Sequence, residues 1–512
     1  MAIAGLSSDP RSLQKTYAML ALANRAGAPW GIRSVLPSAD SDINVFKVEK
    51  WLNTTILSES LSMKAMKNVN FELEGVGEWK ISVPPSVYPP REDSYLLCKT
   101  ISEFKSHGGN ALEIGCGSGI VSIVLSSLGW DVTCCDINPV AVDATRKNLE
   151  RNNLADRVQV IESSTEGEIS IPEETDLIVW NIPYLEPDGR SESGIDSMEN
   201  AATIDIYPDG WGSKLLQFLS ENNNLRPSNI LVILVLKTDP EGPSKISDWS
   251  EKGWSHRSLN YQRFVDEKIE VIGFWKTGSG IDPVWLETCS STMDEAKNIA
   301  GKGWHRVGSE KQTDGRGRRG SKWESMPGSL FATWKIDGSI LDDLPPGIVQ
   351  TSIGAAISRM LGSPMKWPND IMSKDWKKIG GVLLESEDMG DLHAGVGLNR
   401  HKFVKGGVEG AGWNEALGNI GGREVFGMID AEISSIFENV GMLNFPSKER
   451  LISLSWEALS GLLSCGIRVK IMEEELRVVG LNRKGEIEAL GIGGIEIISD
   501  LDSIEWIILS DA

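Results

Sequence analysis

No stretch of this chain is long and apolar enough to cross a membrane as a helix. The longest purely aliphatic run, ILVILVL from Ile230 to Leu236, falls far short of the ~20 residues a bilayer requires and fits a strand buried on both faces. The opening residues, MAIAGLSSDPRS, carry neither a basic leader nor an apolar core with a small-residue cleavage site, so a cytoplasmic protein is expected. Histidine is scarce at five residues, and the six cysteines contain no CxxC pair. Structural zinc and a disulfide framework are therefore not expected, and the thiols are read as reduced. Positive charge is also short, since 51 Lys and Arg face 72 Asp and Glu for a net −21. Such a chain lacks the general positive surface that displaces counterions from phosphates. Sequence-independent nucleic-acid binding is disfavoured, no sequence-specific DNA binding is expected, and any anionic ligand must be gripped locally. Repeats and low-complexity tracts are absent too.

What remains is a globular composition, 40% hydrophobic and 24% charged over 512 residues, long enough at ~100–200 residues per domain for three or four units. Residues 1–66 show helical spacing in SLQKTYAMLALANRAG and VFKVEKWLNTTILSESL. From FELEGVGEWKISVPP the period shifts towards two, and after Asn110 strands and helices alternate through ALEIG, GIVSIVLSSLG, DVTCCDI, PVAVDATRKNLERNN, RVQVIES and DLIVWNIPY. ILVILVL and KIEVIGFW continue that rhythm. Residues 67–276 thus predict an α/β domain with a mostly parallel sheet. TGSGIDP, residues 277–283, has a linker's composition. Residues 284–455 mix helices and strands without alternation, an α+β pattern, and 456–512 read as five or six short strands of a compact barrel.

Two glycine-rich loops carry the chemistry. In LEIGCGSG, Gly115, Gly117 and Gly119 follow an apolar strand and open a helix, which brings backbone close to a ligand. Asp136 ends the next strand, where a carboxylate can accept both hydroxyls of a ribose. That spacing fits a dinucleotide as well as S-adenosylmethionine. The turn NIPY, Asn181 to Tyr184, separates them. An amide or aromatic NH2 nitrogen is a poor nucleophile because its lone pair is delocalised. Two acceptors must take its hydrogens while an apolar ring fixes its plane. The Asn181 side-chain oxygen and the Ile182 carbonyl can be the acceptors, Pro183 stiffens the turn, and Tyr184 can stack.

Here the chain resembles the amino-methyltransferases with an Asn/Asp-Pro/Ile-Pro-Tyr/Phe motif. More narrowly, VYPPREDSYLL (Val87 to Leu97), EIGCGSG, DINPVAVDATRKN and NIPY resemble the HemK-type release-factor glutamine methyltransferases of the archaeal and eukaryotic branch, over roughly Phe71 to Lys276. The resemblance implies a Rossmann-like fold, with S-adenosylmethionine held by Glu113, Gly115, Gly117, Gly119, Asp136 and Asn181. It also implies that Asn181, Ile182, Pro183 and Tyr184 hold the glutamine amide of a peptide-chain release factor. A small activator subunit is a further partner in that branch. Ile182 departs from the family's double proline, a variant shared with DNA amino-methyltransferases.

The second loop, KQTDGRGRRGSKW (Lys311 to Trp323), sets guanidinium groups on flexible backbone, suited to closing over phosphate or carboxylate. By itself it also fits a solvated basic loop, a nuclear-import-like patch or an RNA-binding RG segment. Its neighbours are SSTMDEAK (Ser290 to Lys297), KWPNDI (Lys366 to Ile371), KKIGGVLLES (Lys377 to Ser386) and GVGLNR (Gly395 to Arg400). Together these resemble the biotin protein ligases, whose catalytic domain is α+β and class II synthetase-like and whose C-terminal domain is an SH3-like β-barrel. The resemblance implies ATP, Mg2+, biotin and a biotin carboxyl carrier protein with an acceptor lysine. Ser291, Thr292, Gln312, Arg316, Gly317, Arg318 and Lys378 would hold biotin. Arg318, Trp323, Asn369, Asp370 and Asn399 would face ATP, with Mg2+ arriving on the nucleotide and no protein metal ligands. Lys378 would be the catalytic cation, Lys377 its alternative by one register, with Arg316 and Arg318 closing over the acyl-phosphate. Met293, where the family has Asn, Ser321, where it has a basic residue, and PGSLFATW, which lacks a common Asn, depart from the pattern. A nucleic-acid amino-methyltransferase fused to the ligase, or a non-catalytic biotin or adenylate sensor, are the rival readings.

Overall fold

A computed structural model describes residues 66–163, 171–185, 205, 209–222, 230–278, 280–338, 344–386, 390–464, 466–471, 474–499 and 504–507. The helices expected over 1–66 lie outside them apart from Met66. Two compact units divide the chain: residues up to Trp249 with Ser258–Trp275, and Ser250–Arg257 with Lys276–Ala512. No described helix is long and apolar enough to cross a membrane.

In the first unit a hairpin of β1 (Lys67–Leu73) and β2 (Gly77–Val83) precedes α1 (Glu92–Ser102). Then come β3 (Asn110–Ile114), α2 (Ile120–Ser127), β4 (Asp131–Asp136), α3 (Pro139–Arg151), β5 (Val158–Glu162) and β6 (Leu177–Trp180). α4 (Gly210–Glu221), β7 (Leu231–Asp239), α5 (Ile246–Glu251), β8 (Trp254–Arg263) and β9 (Lys268–Lys276) complete the set. The strand order is β5-β4-β3-β6-β7-β9-β8, parallel from β5 to β7 and antiparallel where β9 meets β7. β6 and the first six residues of β7 are wholly buried, as strands covered on both faces must be. α3 starts cleanly because the Asn138 side chain accepts from Val140 N–H at 2.9 Å and Pro139 fills its first position. The order reverses between β3 and β6, the switch point at which open α/β sheets bind ligands beyond the carboxyl ends of their strands. This is the expected α/β domain.

The second unit is mixed, as its irregular pattern predicted. β10 (Val284–Leu286), α6 (Thr292–Lys297), β11 (Arg306–Ser309), β12 (Gly315–Arg316), β13 (Lys322–Trp323) and β14 (Leu330–Ile336) open it. α7 (Pro346–Met360), β15 (Met365–Lys366), β16 (Asp370–Met372), β17 (Lys378–Ser386), β18 (Leu392–Leu398), β19 (Phe403–Lys405) and β20 (Val408–Gly410) follow. The main sheet runs β10-β11-β14-β18-β17-β16-β15, and β20 joins at β17. α8 (Asn414–Leu417), α9 (Gly422–Phe437) and α10 (Lys448–Ser464) come next. α7, α9 and α10 bury Ile353, Ile429 and Leu459 with Trp334 and Val396 of the sheet in one core.

Within this core Asp430 of α9 gathers three donors. Arg306 Nε reaches its Oδ2 at 2.9 Å, and Trp304 and Trp334 Nε1 reach its Oδ1 at 2.9 and 2.8 Å. Burial pushes the Asp430 carboxyl up, although Arg306 and the indoles pull it down. The segment read as a linker is tied to the same residues. Arg306 Nη1 donates to the Ile281 carbonyl at 2.7 Å, and Gly278 N–H donates to Glu438 Oε2 at 3.1 Å. A Cβ on Gly278 would lie 2.5 Å from the Arg306 guanidinium, so its glycine makes room for a buried arginine.

The tail holds β21 (Arg468–Ile471), β22 (Glu474–Leu481), β23 (Ile487–Gly491), β24 (Gly494–Ile498) and β25 (Ile504–Ile507). They form an antiparallel sheet of order β24-β23-β22-β21-β25. The short strands are as expected, but among the described residues no pairing between β24 and β25 closes a barrel. The sheet buries Val469, Leu476, Ile487 and Ala489 in the core shared with α7 and α10. Its apolar face is thereby covered without closing on itself.

Candidate active sites

Gly115, Gly117 and Gly119 take φ of +70°, +52° and +82° between β3 and α2, a left-handed backbone that other L residues adopt only at a cost. Asp136 reaches across from the end of β4. Its Oδ2 accepts from Gly117 N–H at 2.9 Å and its Oδ1 from Asn138 N–H at 2.8 Å. Burial pushes this carboxyl up against the pull of those amides. Glu113 is buried between β3 and α2, where Ser122 Oγ donates to it, and burial holds its carboxyl well above the ordinary range. The glycines and Asp136 therefore form one open turn, while Glu113 lies in the layer beneath it.

β6 pairs with β3 and delivers Asn181 to Tyr184 beside that turn. Asn181 Nδ2 donates to Asp93 Oδ2 at 3.0 Å, whereas Asn181 Oδ1 is buried with no hydrogen-bond partner. Tyr184 and Tyr88 hydroxyls donate to the same Asp93 oxygen at 3.4 and 3.0 Å. Burial, reinforced by the Asp93 charge, pushes both phenols well above the ordinary tyrosine value. Ile182 is fully buried, and Pro183 and Tyr184 are half-buried. Sequence reasoning did not single out Asp93. In REDSYLL it reads as one of two acids in the first turn of a helix, and its partner Asn181 lies 88 residues away.

In the second unit a cavity of about 230 Å3 brings the second loop to its neighbours. Ser291, Thr292, Gln312, Arg316, Gly317, Arg318, Trp323, Asn369, Asp370 and Lys378 all line it, as do Met293 and Ser321. Asn399 is buried but lines no part of this cavity. Gln312 Oε1 accepts from Thr292 N–H at 2.7 Å and from its hydroxyl at 3.2 Å. The arginine loop is a short hairpin, β12 with β13, whose turn is closed by Gly317 N–H to the Ser321 carbonyl at 2.7 Å. Arg316 Nη2 meets Asp294 Oδ1 at 2.6 Å and its Nε lies 3.4 Å from Glu385. The hydrogen bond to Asp294 raises the guanidinium's pKa. Arg318 Nη1 donates to Asn369 Oδ1 at 3.0 Å. Lys378 Nζ sits 2.7 Å from Asp370 Oδ1 and 5.1 Å from the centre of the Trp323 ring. That ring packs on the backbone of β18, where a Cβ at Gly397 would lie 3.2 Å from it. Lys377, by contrast, is exposed, pairs with Glu409 at 2.6 Å and does not line the cavity.

These two sites define a Rossmann-like N-methyltransferase and an adenylate-forming protein ligase on one chain. The ribosomal protein L11 methyltransferase (PrmA) family matches residues 95–183, and the biotin/lipoate A/B protein ligase family matches residues 287–399. Over 207 residues the chain is 36% identical to a Methanocaldococcus jannaschii protein named "Putative protein N5-glutamine methyltransferase", covering 40% of this chain and 98% of that one. It is 28% identical over 145 residues to the release factor glutamine methyltransferase of Streptococcus pneumoniae, 28% of this chain and 50% of the relative. It is 27% identical over 197 residues to the bifunctional ligase/repressor BirA of Escherichia coli, 35% of this chain and 59% of the relative. The chain thus spans half to three-fifths of the last two relatives. It belongs to the protein N5-glutamine methyltransferase family, and it is a fusion of that enzyme type with a biotin protein ligase.

Proposed function

We propose that the methyltransferase modifies the side-chain amide nitrogen of a glutamine in a peptide-chain release factor, and that the ligase attaches biotin to a lysine of a biotin carboxyl carrier protein. The buried, unpartnered Asn181 Oδ1 carries the first reading. A buried acceptor without a donor costs about 1–3 kcal/mol, a cost a substrate NH2 group would offset. Asn181 Oδ1 and the Ile182 carbonyl would each take one amide hydrogen, with Tyr184 holding the amide plane. S-adenosylmethionine supplies an electrophilic methyl group when bound. Gly115, Gly117 and Gly119 give it close backbone approach, and Asp136 offers acceptors to its ribose. The amide nitrogen forms the new N–C bond as the S–C bond breaks, and the nitrogen's surplus proton leaves to solvent. A small activator subunit is a proposed partner of this half.

The second reading rests on one cavity lined by every expected ligase residue except Asn399. Biotin would lie against Ser291, Thr292 and Gln312, with its carboxylate towards Lys378 and Arg316. Attack of that carboxylate on the α-phosphate of ATP releases pyrophosphate, and the lysine amine of the carrier then displaces AMP from the anhydride. Lys378 and Arg318 would neutralise charge as it develops, and the arginine hairpin would shield the anhydride from water. Trp323 would cover the adenine, with Asn369 and Asp370 towards the phosphates. Among the described residues no group of three or more His, Cys, Asp or Glu could hold a metal ion. Mg2+ would come with the nucleotide. The tail sheet corresponds, in this reading, to the ligase family's SH3-like domain.

Incubation of the full chain with ATP, biotin, methyl-labelled S-adenosylmethionine, a release factor, a carrier protein, DNA and RNA tests both halves. Methyl label in the release factor and biotin on the carrier support the reading. Label in nucleic acid alone overturns the first half. Absence of biotin-dependent pyrophosphate exchange overturns the second.

A further inference from the structure

Asp93 is buried at 5% relative exposure on the first turn of α1, and it receives only donors. Ser94 N–H and Oγ reach Oδ1 at 2.6 and 3.3 Å. Tyr88 OH, Asn181 Nδ2 and Tyr184 OH reach Oδ2 at 3.0, 3.0 and 3.4 Å. A carboxylate accepts and cannot donate, whereas an asparagine amide has a donating end and an accepting end of nearly equal shape. Which end of Asn181 faces the acceptor site is therefore decided by what holds the other end. With Nδ2 on Asp93, Oδ1 is turned away from it, buried and unpartnered.

We infer that Asp93 is the positioning residue that locks the flip of Asn181, so that the site presents an oxygen, not an NH2 group, to the methyl acceptor. This rests on the methyltransferase reading above. It also names what the site selects: a neutral NH2 group with hydrogens to give. A glutamate carboxylate in the same place would set acceptor against acceptor and is refused. Tyr88 ties a further segment to the same oxygen and Tyr184 a second residue of the Asn181 turn, so the carboxylate joins α1, the turn before it and the Asn181–Tyr184 turn in one hydrogen-bonded cluster.

The test exchanges the two side chains in the full chain. Asp93→Asn frees Asn181 to flip, and its kcat for a glutamine peptide falls about 100-fold, the scale of a misplaced reacting group. KM for S-adenosylmethionine stays within about twofold, because a lost orientation leaves the glycine turn untouched. Asn181→Asp alone sets two carboxylates against each other and is equally impaired. The double variant Asp93→Asn/Asn181→Asp restores donor to acceptor, and its kcat recovers at least about 10-fold over either single variant. A merely structural Asp93 predicts no such recovery. The side-chain NH2 resonances of Asn181, read by selective labelling, shift in Asp93→Asn whatever the methyl acceptor proves to be. A wild-type chain inactive on glutamine peptides but showing that shift sinks the acceptor reading and keeps the positioning role. Unchanged resonances, undiminished kcat in Asp93→Asn, or a double variant no better than the singles overturns the positioning role.

Discussion

Lys378 Nζ lies 2.7 Å from Asp370 Oδ1, at an angle that makes the contact an ion pair rather than a hydrogen bond, while the adjacent Lys377 turns out to Glu409. Lys378 opens β17 and lines the cavity, whereas Lys377 lies just before the strand begins. Lys378→Ala should therefore lower biotin-dependent pyrophosphate exchange by at least about 100-fold, the usual scale for one electrostatic group at a reacting centre. Lys377→Ala should leave it within about twofold, because an exposed pair contributes little. Equal loss in both variants would place the catalytic cation elsewhere.

The contrast between Lys378 and Asp93 shows what the sequence made legible. GRGRRG, KWPND and NIPY are contiguous motifs, so the loops and the turn could be read locally, and Lys378 followed from the resemblance to the biotin protein ligases. Asp93 finds Asn181 across 88 residues and Asp430 finds Arg306 across 124, and no local pattern encodes either meeting. The parallel sheet was legible because ALEIG, DVTCCDI and ILVILVL are short apolar runs between helices. β8 was missed because SHRSLNYQR mixes polar and aromatic residues on a half-exposed strand. The tail's strands were readable from their turns, but closure depends on which strands pair, and Ile487 and Val469 find their core in α7 and α10 instead. The packing of Gly278 against Arg306 likewise could not be seen in TGSGIDP, whose composition alone suggested a free linker.

Asp430 should be a stability residue and not a catalytic one. Both ends of its pair with Arg306 are nearly inaccessible, 3% and 6% exposed. Asp430→Ala strands a buried guanidinium and two indole N–H groups. A loss of about 3–5 kcal/mol is expected, read as a lower denaturant midpoint by tryptophan fluorescence. Methyl transfer should persist under conditions in which this variant's ligase unit has unfolded.

The phenols of Tyr88 and Tyr184 give a pH signature. Both are pushed well above the ordinary value by burial first and by Asp93 next. The fold thus favours the protonated phenol. That contribution is complete below the unfolded value of about 10 and is lost as pH rises from there towards the folded value. Stability above pH of about 10 should fall with a slope near 1.4 kcal/mol per pH unit for each phenol. Tyr88→Phe and Tyr184→Phe should each remove one such contribution, measured as urea midpoints across the alkaline range. Their phenolate absorbance should also be missing from the native titration between about 9 and 11. A native titration that includes them would contradict the burial argument.

Gly117 and Gly119 separate two reasons for a glycine in one turn. A Cβ at Gly117 would meet nothing closer than the Tyr88 carbonyl at 3.9 Å, so only its φ of +52° resists substitution. Gly117→Ala should cost about 1–2 kcal/mol of turn strain and weaken S-adenosylmethionine binding by roughly 10-fold, the equivalent of about 1.4 kcal/mol. At Gly119 the φ is +82° and a Cβ would also lie 2.8 Å from Thr145 Cγ2. Its alanine variant carries the same strain plus a collision on the helix that backs the turn, so its binding should be weaker still. Thr145→Ser removes the colliding methyl while keeping the hydroxyl that donates to the Gly117 carbonyl at 3.1 Å. Gly119→Ala/Thr145→Ser should therefore recover affinity part of the way towards Gly117→Ala, because Thr145 Oγ1 at 3.0 Å and Cα at 3.2 Å still crowd the added Cβ and the backbone strain remains. Titration calorimetry with S-adenosylmethionine on the four variants reads this directly, and full recovery in the double variant would show that the φ of this turn carries no cost.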